Sequence, residues 1–359
     1  MPLAPIDIVA QRLRNQRLAR SAFRKPEDVV SWLGAVQAQD CAGAKWGVAL
    51  RARGVTDEDV DRACDEGRIL RTHVMRPTWH FLVPRDIRWM LALTAPRVHS
   101  ASKSWYRVLE LDERIFLRSR KVLERALEGG ASLTRAGMVP ILAGAGITAS
   151  GPRLAGLMFH AELEGVICSG PRRGKQSTYA LLEERVAPVP ALTRDEALAE
   201  LTRRYFASHG PATLRDFAWW SGLAMRDVRS GVESAGAALQ RIVQADLTYW
   251  FVPSRTAAPV PSPWGLLLPN YDEYLIAHKD RGQVLDPATP APATLQDYPH
   301  YLVIDGRLRG SWKRAIGTRA GVIAVRAYRP LTKPERRAVE AEVQRYSRFL
   351  NLPVTASET

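Results

Sequence analysis

An α+β fold is predicted for this sequence: three tandem winged-helix units, then a small β-barrel-like domain capped by a helix. Three observations predict it. The order helix, turn, helix, strand, basic turn, strand recurs along residues 6–253. At Ala257 the composition shifts, with AAPVPSP reading as a linker into alternating runs and a last amphipathic helix. The 359 residues, 46% hydrophobic and 25% charged, form a globular composition long enough for several domains and exclude general disorder.

The first unit spans residues 1–110. DIVAQRLRNQRLAR and the apolar stretch of KPEDVVSWLGAVQAQD through Leu33 read as helices, DCAGAKWG as a Gly-bearing turn, and TDEDVDRACDEGRIL as a further helix. RTHV-MRPT-WHFLVP alternates like a hairpin. The second unit, 111–190, is clearest. Ser132 and Thr134 are N-cap candidates for SLTRAGMVPILAGAG, which stops at Gly144 and Gly146. TASGPRLAGLMFHAELEGVI places Leu154, Leu157, Met158, Ala161 and Leu163 at helical spacing. VICSG and STYALL are strands around a PRRGKQ turn that carries Arg172, Arg173 and Lys175. A second helix with a basic wing suits a nucleic-acid groove and its flanking phosphates.

The third unit, 191–256, repeats this order. TRDEALAELTRRYFASHG is a helix, Thr213 caps the next, Ser221-Gly222 is the turn, MRDVRSGVESAG is a helix, and LTYWFVP is a strand. In the last domain, 257–359, PATPAPAT marks an exposed loop. HYLVIDGRLRGSWKR and AGVIAVRAYRP alternate like strands, and PERRAVEAEVQRYSRFL closes the chain as an amphipathic helix.

Lys and Arg number 51 against 37 Asp and Glu, a net charge of +14. Such a balance points to a polyanionic partner, nucleic acid or an anionic membrane surface. Residues 300–350 hold twelve Lys/Arg against four Asp/Glu, including Arg307, Arg309, Lys313, Arg314 and Arg319. Between two strand-like runs there, Gly317, Thr318, Arg319 and Gly321 form a hairpin tip suited to a minor groove, or else an ordinary surface hairpin. His73 and His80 flank the first wing beside Arg71 and Arg76, a set suggestive of phosphate contacts. Trp79, Trp105, Trp219 and Trp220 read as packing residues.

Cys41, Cys64 and Cys168 form no CxxC pair, so neither a disulfide framework nor a structural zinc site is expected. No metal or cofactor is expected. The N-terminus lacks an apolar core before a small-residue cleavage site, and no apolar run approaches the roughly 18–20 residues of a membrane span. A soluble, cytoplasmic chain without a membrane partner is the expectation.

Gln37 and Gln39 stand two apart in WLGAVQAQD. In extended chain they project to one side; in a helix they would lie about 200° apart. The preceding apolar helix and following glycines favour an extended exit. Two adjacent side-chain amides can hold one water, although on spacing alone the simpler reading is two surface glutamines. Asp40 would point the other way.

Five segments carry a family resemblance: AVQAQD at 35–40, RTHVMRPTWHFLVPRD at 71–86, HGPATLRDFAWWSGL at 209–223, LLPNYDEYLIAHKDR at 267–281 and VIDGRLRGSWKR at 303–314. Taken in this order, they resemble the winged-helix DNA glycosylases of the AlkZ/YcaQ superfamily. That family's catalytic motif is Gln, an apolar residue, then Gln or Asp. Gln37-Ala38-Gln39 resembles the AlkZ-branch form, which includes a self-resistance enzyme of azinomycin B producers that unhooks crosslinks between guanines.

The resemblance implies catalytic roles for Gln37 and Gln39 and a substrate that suits residues unable to titrate. N7-alkylated guanine carries a positive ring and leaves without a general acid, so placing a water and stabilising an oxocarbenium-like transition state is what remains. No lysine lies in the motif, the nearest being Lys45, so lyase chemistry is not expected. The expected partner is double-stranded DNA carrying alkylated or crosslinked guanine, bound by a monomer. The tandem units imply an open basic surface that reads the lesion from the groove without full extrusion. The competing readings are a tandem winged-helix transcription factor and a drug-sequestering resistance protein.

Overall fold

The computed structural model describes residues 6–21, 23–253, 262–286 and 299–358. All but the last two residues of the expected linker at 257–263, and the whole Pro/Ala stretch at 287–294, lie outside the described residues.

The chain opens with α1 (Ile8–Asn15), α2 (Pro26–Leu33), β1 (Val36–Gln37), α3 (Cys41–Ala49) and α4 (Asp57–Asp65), then β2 (Leu70–Val74) and β3 (Arg76–Leu82). These strands form an antiparallel sheet of order β1-β3-β2. Helix α4 starts at a Thr56–Asp59 capping box. The hairpin turn is tighter than the four residues MRPT: Met75 alone takes the left-handed conformation, φ 62°, and Arg76 is already in β3.

The DCAGAKWG segment, expected as a turn, is helix α3. The Asp40 carboxylate caps it by accepting the Gly43 N–H at 3.0 Å. Its glycines serve close packing: a Cβ on Gly47 would lie 3.2 Å from Asp272 Oδ2 and 3.6 Å from Pro269.

Two helices follow that were not among the elements expected from the sequence. α5 (Pro84–Val108) runs 25 residues with Pro96 inside it, and α6 (Glu113–Leu127) is capped by Asp112. Next come β4 (Leu133–Thr134), α7 (Arg135–Gly144), α8 (Gly151–Leu163), β5 (Ile167–Arg173), β6 (Gln176–Leu181) and α9 (Leu182–Arg185), with sheet order β4-β6-β5. Thr134 is the cap of α7, accepting the Gly137 N–H. Arg172 and Arg173 belong to β5; the turn itself is Gly174 and Lys175.

α10 (Arg194–Ser208), α11 (Leu214–Ser221) and α12 (Met225–Ala235) precede a hairpin of β7 (Gln240–Gln244) and β8 (Leu247–Phe251), where a single strand was expected. The chain ends with β9 (Gly265–Leu268), α13 (Glu273–Ile276), β10 (His300–Ile304), β11 (Arg307–Ile316), β12 (Gly321–Ala327), α14 (Lys333–Leu350) and β13 (Val354–Glu358). Their sheet has the order β13-β12-β11-β10-β9 and stays open, a curled half-barrel with β13 and β9 at its edges. β13 runs parallel to β12, which α14 makes possible by returning the chain to the same end.

The core has two main parts. One gathers α5–α8 and α10–α12. The other joins Val9–Val83 directly to the C-terminal sheet from Leu266 to Val354. The first and last thirds of the chain therefore share one interior. Arg51 and Asp272, each 1% exposed, pin them with hydrogen bonds of 2.8 and 2.9 Å. Removing one partner of such a pair costs about 3–5 kcal/mol, because the other is left charged and buried. Among the described residues no helix is long and apolar enough to cross a membrane.

Candidate active site

Gly34, φ 82°, ends α2 and turns the chain into β1. Gln37 lies opposite His80 of β3, and the Ala38 N–H donates to Trp79 O at 2.7 Å. The strand ends at Gln37, and Gln39 occupies the bend leading to Asp40. The two glutamines differ in setting: Gln37 is 7% exposed, whereas Gln39 is open to solvent.

Gln37 Oε1 accepts from Arg76 Nη2 at 3.1 Å, leaving the oxygen's second lone pair for another donor. The Gln37 main-chain N–H donates to Glu273 Oε1 at 2.8 Å. Gln39 Oε1 lies 3.5 Å from the Trp79 N–H. On the face shared by Gln37 and its cross-strand neighbours, His80 Nε2, Thr72 Oγ1 and Thr78 Oγ1 are buried without a partner among the described residues. His80 Nδ1 donates to Thr78 O at 2.9 Å, which leaves Nε2 an acceptor. Burial, then the charge of Arg76, holds the His80 imidazole well below its usual pKa and therefore neutral.

Glu273 is a residue that motif reasoning missed, although it sits within the quoted LLPNYDEYLIAHKDR segment. It is 1% exposed; Oε2 accepts Trp220 Nε1 at 2.8 Å and lies 3.4 Å from His209 Nε2. Burial pushes its carboxyl up, but the contact with His209, the Gln37 N–H and Arg76 outweigh this and hold it below the usual range. A buried carboxylate thus anchors the strand carrying Gln37.

Asp40 caps α3 and holds Arg314 at 3.0 and 3.2 Å. Lys45 is tied to Asp57 at 2.8 Å and Asp61 at 2.9 Å. Burial alone would lower its pKa; the two carboxylates raise it, so the amine stays an ammonium.

The basic residues singled out in the sequence separate into two groups. Arg71 Nε donates to Ala38 O at 3.0 Å while its guanidinium stacks 4.2 Å over Trp79. Arg71 and Arg76 thus brace the glutamine motif. His73 is buried with Nδ1 against Glu162. Arg172 pairs with Asp61 and, at 2.8 Å, with Asp65, clamping β5 onto α4. Arg314 bridges Asp40 and, at 3.3 Å, Tyr346 Oη. Arg307 donates to Gln283 O and Leu285 O, and Arg309 meets Asp286.

Exposed instead are Arg173, Lys175, Lys313, Gly317, Thr318 and Arg319. The 317–320 tip is closed by Gly317 N–H to Ala320 O at 3.0 Å and presents exposed Ile316, 40%, beside Arg319. Because Arg314 of β11 grips Asp40, the strand leading to this tip is held next to the motif. Trp220 is core, as expected, but Trp105 and Trp219 are 37% and 40% exposed. Among the described residues one metal-ligand-type group stands out, His99, His160 and Glu164, with ligand atoms within 4.8 Å of one another; it lies on α5, on α8 and at the residue that caps α8, not by the glutamines.

Comparison with known proteins agrees with this architecture. The solved structure of Streptomyces sahachiroi DNA glycosylase AlkZ superposes with a TM-score of 0.77 over 99% of this chain and 100% of that one, at 24% identity, a likeness of fold. The interstrand DNA cross-link repair glycosylase of Streptomyces sahachiroi is 26% identical over 326 residues, 85% of this chain and 86% of that protein. A family model described as DNA glycosylase AlkZ-like matches residues 30–349. With that match running from α2 through α14, across the glutamine motif and the sheet that braces it, the chain belongs to the AlkZ-like DNA glycosylase family.

Proposed function

We propose that the protein is a monofunctional DNA glycosylase that hydrolyses the N-glycosidic bond of N7-alkylated guanine. Its substrates include guanines crosslinked between strands, and its activity gives self-resistance to a DNA-alkylating natural product of the azinomycin B type. The observation that carries this reading is the setting of Gln37. Its strand is held by a buried carboxylate, its amide oxygen is oriented by Arg76, and a neutral His80 acceptor lies opposite. Oriented dipoles of this kind suit a reaction that must place a water and stabilise a cationic sugar, with no leaving group to protonate.

In this mechanism Gln37 and Gln39 hold the attacking water through their side-chain carbonyls. The C1′–N9 bonding pair passes to the positive ring, which leaves as neutral 7-alkylguanine without being protonated, and the water that adds to C1′ gives its proton to solvent. The Lys45 ammonium is engaged by Asp57 and Asp61, which supports hydrolysis without a Schiff base. No metal or cofactor is required.

The reading places the chemistry on a monomer of three winged-helix units, 1–110, 111–190 and 191–256, with hairpins β2–β3, β5–β6 and β7–β8 as wings and 257–359 as a further domain. Exposed Arg173 and Lys175 contact phosphates, as does Lys313, and the Gly317–Thr318–Arg319 tip enters the minor groove.

The test is to incubate the protein with duplexes carrying N7-methylguanine or an N7-guanine crosslink. Free base, abasic sites and strand separation are expected, without sequence preference. Sequence-specific binding with no released base returns the chain to a transcription factor, and drug binding without DNA to a sequestering protein.

A further inference from the structure

The His99, His160 and Glu164 group has no part in the glutamine mechanism. His99 projects from α5, His160 from the last turn of α8, and Glu164 is the residue that caps α8. All three line one cavity of about 390 Å³, which reaches solvent at the exposed Glu164. The buried His99 Nε2 lies 2.9 Å from Glu164 Oε1, yet the two atoms are not aligned as a hydrogen bond. That is the arrangement of two ligands that face a common ion rather than each other. His99 Nδ1 lies 3.0 Å from Tyr106 Oη; when Nδ1–H donates there, Nε2 keeps its lone pair for a metal. The His160 ring stacks on Phe116, with centroids 3.6 Å apart and planes 9° apart, which fixes its orientation.

The ligand atoms of the three residues all lie within 4.8 Å of one another. Around zinc, with bonds of about 2.0–2.1 Å, tetrahedral ligand atoms stand about 3.3 Å apart. The widest pair therefore has to close by no more than about 1.5 Å, a movement that rotation of the exposed Glu164 side chain supplies. A helix C-terminus carries partial negative charge, which adds to the attraction for a cation. Of the cationic side chains on the cavity wall, Arg120 is engaged by Glu124 at 2.7 Å, and Lys103 is offset in charge by Glu113.

We propose that His99, His160 and Glu164 bind one zinc ion, with water in its fourth position, and that the ion clamps the end of α8 onto α5. Two imidazoles and one carboxylate suit a divalent transition metal, whereas magnesium and calcium take oxygen ligands. The ion is structural: it joins two helices of one core, and α8 leads into the β5–β6 hairpin. The cysteine spacing that argued against zinc does not bear on this site, because no cysteine takes part.

The experiment takes untagged full-length protein, strips it with a chelator and titrates it with zinc against a chromophoric competitor. One equivalent is expected to bind with a Kd below about 1 μM, and the melting temperature should rise as zinc is added. Cobalt(II) in place of zinc should give the visible absorption of a tetrahedral site. Glu164→Gln changes an exposed side chain and spares the core. It should weaken zinc binding at least tenfold and remove the melting shift, and His99→Gln should do the same. Absence of saturable zinc binding, or wild-type affinity in both variants, overturns the site. Zinc bound at these residues with no rise in melting temperature overturns the clamp.

Discussion

Gln37→Ala and Gln39→Ala should separate stability from catalysis, because the two side chains sit so differently. Gln37 is 7% exposed and its Oε1 accepts from Arg76 at 3.1 Å. Truncating it takes an acceptor from a charged donor in a largely buried site, a loss of about 1–3 kcal/mol. Gln39 is exposed and its contact to Trp79 N–H, at 3.5 Å, is at the limit of a hydrogen bond. Its truncation should change stability by no more than about 0.5 kcal/mol. On the proposed mechanism both changes remove a carbonyl that would orient the attacking water, so each should slow single turnover. A lost transition-state interaction of about 1.5–4 kcal/mol is roughly a tenfold to thousandfold decrease. If one water is shared, the double variant loses less than the product of the two. Gln39→Asp should keep substantial activity on N7-methylguanine, since it adds a true base at the same place. The assay is single-turnover release of 7-methylguanine from a duplex, with thermal melts and duplex affinity measured on the same samples. Full activity of the double alanine variant refutes the catalytic assignment. Equal destabilisation by the two single changes refutes the contrast drawn from their burial.

Glu273→Gln replaces one carboxylate oxygen by an amide NH2 facing the Gln37 N–H or Trp220 Nε1–H. One buried donor then lacks an acceptor, at about 1–3 kcal/mol; lower melting temperature and slower single turnover at unchanged duplex affinity are expected, and an unchanged rate makes the residue purely structural. With about six phosphates neutralised, at about 0.9 each, log affinity should fall against log salt with a slope near −5, and Arg173→Ala with Lys175→Ala should reduce that slope by about 2. Arg172→Ala should chiefly lower stability, because Asp65 loses its guanidinium partner and Asp61 keeps only Lys45; calorimetric melts and salt titrations distinguish the two. Deleting Gly317–Ala320 should lower excision more than nonspecific affinity, and an equal loss of both reduces the tip to a backbone contact. His160 and His300 are held down to about 4, in each case first by burial and then by a neighbour, His99 or Arg314. Depressed folded values contribute stability above the unfolded value of about 6.5 that is lost as pH falls through 4. Melting temperature should therefore drop over that window, and His160→Gln should flatten the drop.

Many helices and hairpins were legible from local signals, although α5 and α6 went unassigned despite the local cap at Asp112. Thr134, Thr213 and Thr56 stand at helix starts with their caps made. The basic turn at Gly174–Lys175 and the alternation of β10–β12 were equally readable. Helix α3 was not, because its glycines look like a turn until the close approach of Pro269 and Asp272 is known. β13 was not either, because a parallel pairing across α14 leaves no short-range mark.

The same division runs through the candidate site. The sequence by itself determined the Gln37-Ala38-Gln39 motif, the family resemblance and the charge of +14. Only the tertiary structure decided what surrounds the motif. It brought Glu273 to Gln37 across 236 residues and Arg314 to Asp40 across 274. It also turned Arg172 and His73 from expected phosphate contacts into partners of Asp65 and Glu162. A cap or an alternation repeats within a few residues and can be read in order. A buried carboxylate finds its donors through the packing of distant segments, and that pairing has no period along the chain.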